Sequence, residues 1–121
     1  MNNRITLKQA KDLITRFRGR KPDVIKPGFE NALPTSETFE REAIDKLLAN
    51  PRCVKVRIYP GMSEDMNIRM IIVGVDSNDQ DILPLNENGI IEGDGEVEEE
   101  VIVEDGTRCP PVCPTTSALN P

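Results

Sequence analysis

The chain has 121 residues, 37% of them hydrophobic and 30% charged, with a net charge of −6 and no histidine. That length supports one modest core, and the missing histidine removes Ser/His/Asp and Cys/His nucleophiles together with the commonest metal ligand. The aromatic residues are Phe17, Phe29, Phe39 and Tyr59, too few to form a platform for stacking bases, so nucleic acid is disfavoured as a partner.

Charge is divided along the chain: residues 1–60 carry 13 Lys/Arg and 7 Asp/Glu, whereas residues 61–121 carry 2 and 14. Such a split serves pairing within the molecule, head-to-tail self-association, or an acidic surface for a basic partner. "MNNRITLKQA" has no apolar run after its first charges, and nowhere do the roughly 18 apolar residues of a membrane span occur, so a cytoplasmic protein is expected.

Residues 5–18, "ITLKQAKDLITRFR", predict a helix, with Thr6 and Gln9 at capping-box spacing, Leu7, Ala10, Ile14 and Phe17 on one face, and Gly19 as its end. Residues 19–35 hold three prolines and two glycines and predict a long irregular connection, pinned by Val24, Ile25, Phe29 and Leu33. The basic run Arg16, Arg18, Arg20 and Lys21 complements a helix C-terminus more simply than it grips phosphate.

A second helix is expected at about 36–49, with Ser36 as N-cap and Phe39, Ala43, Ile44, Leu47 and Leu48 as its apolar stripe. "CVKVRIY", 53–59, alternates Val54, Val56 and Ile58 against Lys55, Arg57 and Tyr59, which is the period of a half-buried strand ending at Pro60-Gly61. "NIRMIIVGV", 67–75, is apolar on both faces in its second half and predicts a central strand. A turn at Asp76–Asp79 then leads to a short third strand around "DILPL" in an antiparallel meander. Ile90-Ile91 and Val101-Ile102-Val103 are candidate edge strands in an acidic, glycine-rich stretch.

The expected fold is therefore α+β: two helices packed on a small, mainly antiparallel sheet of three to five strands, occupying residues 1–103. Residues 104–121 are expected as an extended, irregular Cys/Pro tail. No paired carboxylates rise above a solvated acidic face, and no cofactor is implied. "DSNDQDILPLNE" has Asp81 where a calcium loop needs glycine, so a hairpin turn accounts for it better.

The tail "RCPPVCPTTSALNP" is the distinctive feature. Five residues in polyproline geometry separate their terminal Cα atoms by roughly 12 Å, against about 4.4–6.8 Å in a disulfide, so Cys109 and Cys113 pair locally only across a tight turn or a cis proline. Free thiols, a cross-link to Cys53, or metal binding by Cys53, Cys109 and Cys113 with a carboxylate are the alternatives, the last weakened by the spacing. Pro110, Pro111 and Pro114 stiffen the segment before it meets anything, so Arg108, Cys109, Pro110, Pro111, Cys113, Pro114 and Leu119 are the candidate contacts with a protein partner. A thiol-based redox or cross-linking role for Cys109 and Cys113, with the Arg108 cation favouring thiolate at Cys109, is the second reading.

"ITLKQAKDLITRFR", "VKVRIYPGM", "MIIVGVDSNDQDIL" and the terminal "RCPPVCPTTSALNP" together resemble a family of short bacterial proteins of unknown function that share a CPPxC tail close to an S-x-LN ending. The resemblance implies that tail architecture on a cytosolic α+β domain and carries no catalytic role. Here the ending is Ser117-Ala118-Leu119-Asn120, followed by Pro121.

Overall fold

A computed structural model describes residues 3–83, 102–104 and 106–120. They form two helices and five strands, α1 (Leu7–Val24), β1 (Ser36–Thr38), α2 (Arg41–Leu48), β2 (Lys55–Met62), β3 (Ile68–Val75), β4 (Ile102–Val103) and β5 (Thr107–Cys109). The class is small α+β with antiparallel pairing, as expected, but the strands make two sheets, ordered β1-β5 and β2-β3-β4. Two compact units are formed, Met1–Ser36 with Arg108–Pro121 and Glu37–Thr107.

In the second unit β3 is central, as its apolar sequence predicts, with β2 paired from Lys55↔Val75 to Met62↔Ile68 and β4 paired at Ile72↔Val103 and Val73↔Ile102. Leu47, Ile72 and Val103 form the buried centre, and Phe39, Ala43, Ile44 and Cys53 pack against it. Helix α2 contacts β3 and β4. The predicted inward face of β2 nonetheless lies open: Val54, Val56 and Ile58 are exposed because α2 packs over β3 and β4 and not over β2, although Ile58 shares a face with Ile72 of the core. Pro60 and Gly61 continue β2 instead of ending it, since β2 is an edge strand and tolerates a residue without an N–H.

Several boundaries differ from expectation for identifiable reasons. Ser36 does not cap a helix; Ser36–Thr38 is a strand because β5 supplies backbone pairing, and the Met70 N–H donates to Glu37 Oε2 at 3.0 Å. Helix α2 begins five residues later, without a side-chain cap at Glu40. The first helix does carry the Thr6/Gln9 capping box, but it runs through Gly19 and includes Pro22, ending at Ile25, whose N–H reaches the Lys21 carbonyl. Only Lys21 of the basic run thus lies in the last turn.

Of the third meander strand expected at "DILPL", residues 81–83 show a single bridge from Asp81 to Val75, and residues 84–85 lie outside the described residues. The preceding turn is the expected hairpin: Asp76 Oδ1 accepts from the N–H groups of Asn78 and Gln80, and Asp79 takes a positive φ of 63°. Ile102 and Val103 realise one candidate edge strand, while Ile90-Ile91 lies outside the described residues. The stretch after Gly106, expected to be irregular throughout, opens with β5.

A network of charge crosses the β2 hairpin. Lys55 Nζ and Arg57 Nη2 lie 2.8 and 3.0 Å from Asp79 Oδ1, Arg57 Nη1 lies 2.5 Å from Asp81 Oδ1, and the Tyr59 hydroxyl donates to Asp81 Oδ2. The hydrogen bond and charge of Lys55, followed by the charge of Arg57, hold the Asp79 carboxyl below its ordinary pKa of 3.8. A lowered folded pKa means that the network's contribution is complete above that ordinary value and is lost as pH falls through the folded one. The difference in urea midpoint between wild type and Asp79→Asn is therefore expected at pH 7 and should shrink below about pH 4; a difference that grows with acid would contradict this.

Gly106 is required by close approach: a Cβ there would meet Glu37 Cγ at 2.6 Å and the Phe39 ring at 2.9 Å. Gly19 has open space around it within α1. Gly106→Ala should cost about 1–3 kcal/mol in chemical denaturation, whereas Gly19→Ala should stabilise by about 0.5–1 kcal/mol.

Candidate functional site

The first unit gathers the tail around α1 and the connection that follows it. Successive turns shape that connection, with Phe29 N–H to the Lys26 carbonyl at 3.0 Å, Ala32 N–H to the Phe29 carbonyl at 2.9 Å, and Gly28 at φ 92°. The expected apolar pins hold only in part: Ile25 and Leu33 are half-buried, whereas Val24 and Phe29 are exposed. Polar groups do the rest. Lys21 Nζ donates to the Leu33 carbonyl, and Arg108 Nη2 donates to the carbonyls of Asn31 and Ala32 at 2.8 and 3.2 Å.

Cys109 and Cys113 form a disulfide, with Cα atoms 4.6 Å apart. The straight, open tail is thereby corrected: the Cys109-Pro110 and Pro110-Pro111 bonds are both cis, and the Val112 N–H returns to the Arg108 carbonyl at 3.0 Å. This is the tight-turn case that spacing allowed for a local bridge. The tail sulfurs are joined to each other and not to Cys53, whose thiol lies 3.2 Å from the Lys55 carbonyl oxygen, so the three-cysteine metal set is not assembled.

Thr35 anchors the ring. Its N–H donates to the Cys109 carbonyl at 2.8 Å, and its hydroxyl lies 2.9 Å from the same oxygen and 3.1 Å from Cys109 Sγ. Cys109 is 3% exposed, while Pro111, Val112, Cys113 and Pro114 are exposed. Half-buried Pro110 lines a cleft of about 430 Å³ with Arg18, Pro22, Ile25 and Thr35. Leu119 lines another of about 360 Å³ with Ile14 and Arg18.

The last residues are also held. Ser117 and Asn120 exchange backbone hydrogen bonds of 3.0 and 3.2 Å, Ser117 Oγ accepts from the N–H groups of Leu119 and Asn120, and Asn120 Nδ2 donates to the Pro114 carbonyl. Arg18 Nη2 closes the arrangement with a 2.7 Å hydrogen bond to Asn120 Oδ1. Every predicted contact residue thus belongs to this unit, but with divided roles. Arg108 braces the connection through carbonyls, Cys109 is interior, and Pro111, Cys113, Pro114 and Leu119 face solvent.

Thr35, Arg18 and Asn120 were not among the residues expected at the site. Thr35 carries no local signal, since its partner is 74 residues away. Arg18 suggested a helix end, and the S-x-LN pattern was the available pointer to Asn120. No family model, curated protein or solved structure matches the chain.

Asn120→Ala removes the contacts to Arg18 and Pro114. Amides of residues 117–120 should then exchange with deuterium about fivefold faster, with little change in the second unit. Unaltered exchange would show that Asn120 does not order the end of the chain.

Proposed function

We propose that the chain is a non-enzymatic protein-interaction module that docks through the exposed rim of its Cys109–Cys113 ring. The observation that carries this reading is the combination of an exposed Pro111-Val112-Cys113-Pro114 edge with an anchored base. Ordering entropy opposes any docking segment, and a closed ring braced by Thr35 and Arg108 has already lost much of that freedom. Val112, 61% exposed, is the apolar centre of the rim, and prolines flank it at positions that need no N–H. The matching partner surface is a shallow apolar pocket on a protein, with Leu119 as a second contact.

Ser117 and Asn120 fold the S-x-LN ending within the same unit as the ring, which leaves Leu119 exposed as a second contact. A cytoplasmic location belongs to this proposal. No helix among the described residues is long and apolar enough to cross a membrane.

Removal of everything after Gly106 is a poor test, since it deletes β5 and the contacts of Arg108 and Cys109. Val112→Asp alters the rim alone. Affinity capture with the full chain should lose its specific partner by tenfold or more with Val112→Asp and keep it with Lys8→Ala. Equal recovery by both variants would remove the ring from the docking account.

A further inference from the structure

We propose that the Cys109–Cys113 ring is also a thiol–disulfide exchange site of fixed polarity that oxidises a dithiol, with Cys113 as the sulfur attacked and Cys109 as the buried leaving and resolving sulfur. This goes beyond docking and does not depend on it. Either sulfur of a disulfide is in principle open to an incoming thiolate, and access and leaving-group stabilisation decide which one reacts. Both considerations select the same sulfur here.

Access is unequal. Cys113 lies on the exposed rim, whereas Cys109, the last residue of β5, is 3% exposed and sits against Thr35. Attack on Cys113 Sγ places the departing charge on Cys109 Sγ, where the Thr35 hydroxyl is 3.1 Å away. In the closed ring that hydroxyl also has the Cys109 carbonyl at 2.9 Å, and a disulfide sulfur is a weak acceptor. A thiolate is a strong one, so the hydroxyl proton turns toward sulfur as the bond breaks. The carbonyl keeps the Thr35 N–H at 2.8 Å, and no buried acceptor is abandoned by the turn. Burial raises a thiol's pKa and opposes this charge, and the Thr35 donor offsets part of that cost. Arg108 donates through Nη2 to the carbonyls of Asn31 and Ala32, and the positive charge it keeps, one residue from Cys109, also favours thiolate there.

The reaction balances without a further reagent. One thiolate of the dithiol attacks Cys113 Sγ, forming a mixed disulfide; the Cys109–Cys113 bond breaks and its electron pair goes to Cys109 Sγ. The second thiolate of the substrate attacks its own mixed-disulfide sulfur, closing the substrate disulfide and releasing Cys113 as thiolate. The dithiol is oxidised by two electrons, the ring is reduced by two, and the two thiol protons pass to the cysteines through solvent. If the second thiol is absent, Cys109, held by Thr35 beside Cys113, attacks back and restores the ring. Exchange is stoichiometric, one ring for each dithiol oxidised. In a compartment where glutathione keeps thiols reduced, a disulfide is characteristically of this exchanging kind.

The test uses the full-length oxidised protein. Brief exposure to glutathione, acid quenching and peptide mass mapping should find glutathione on Cys113 and a free thiol at Cys109. Dithiothreitol should open the ring in wild type, with Thr35→Val slowing this about fivefold and Thr35→Ser restoring it. Glutathione on Cys109, a ring that resists dithiothreitol, or equal rates for wild type and Thr35→Val would each overturn the proposal. The glutathione mapping needs no variant, so it stands even if Thr35→Val folds poorly, and neither readout involves a docking partner.

Discussion

The contact between Thr35 and Cys109 is the constraint on which the first unit depends. It joins positions 74 residues apart with a backbone hydrogen bond and a hydroxyl that touches both the carbonyl oxygen and the sulfur. Isolated, a terminal segment rich in proline has no internal hydrogen bonds to order it. Fixed at Cys109, it acquires a ring, a bracing arginine at position 108 and a capped turn at its end. Each of these uses a polar group on backbone that a tail would leave to water.

That anchorage separates two properties that a flexible tail would mix. Pro111 to Pro114 form the exposed edge of the ring, and the buried half of the disulfide sits with the Thr35 hydroxyl 3.1 Å from its sulfur. Both follow from the same asymmetry, one cysteine inside and one outside. The second unit contributes a different kind of order, built from aliphatic packing between α2 and the β3-β4 strands. There the charge division along the chain is used internally in part: Lys55 and Arg57 from the basic half meet Asp79 and Asp81 from the acidic half.

Local patterns were informative wherever the cause of structure was local. The capping box at Thr6 and Gln9, the apolar run of β3 and the Asp76 turn all depend on neighbours within a few residues, and each was legible. Where a partner lay far along the chain, local signals misled. Ser36 has the chemistry of an N-cap but enters a strand because β5 is present to pair with it. Val56 and Ile58 alternate like a buried face, yet α2 covers the neighbouring strands instead. Among site residues the cysteines, prolines and Arg108 announced themselves by type, whereas Thr35 and Arg18 did not.

The amino-acid order by itself determined an α+β composition, the capped start of the first helix, the position of the central strand, and the short list of ways two cysteines around Pro-Pro-Val can be used. Those depend on backbone stereochemistry, side-chain period and covalent reach, which act over short spans of chain. Which cysteine is buried, which hydroxyl stands beside it and which strand of the sheet α2 leaves uncovered were decided only by tertiary structure, because each depends on groups brought together across long stretches of chain. Proximity of that kind leaves no periodic trace in sequence.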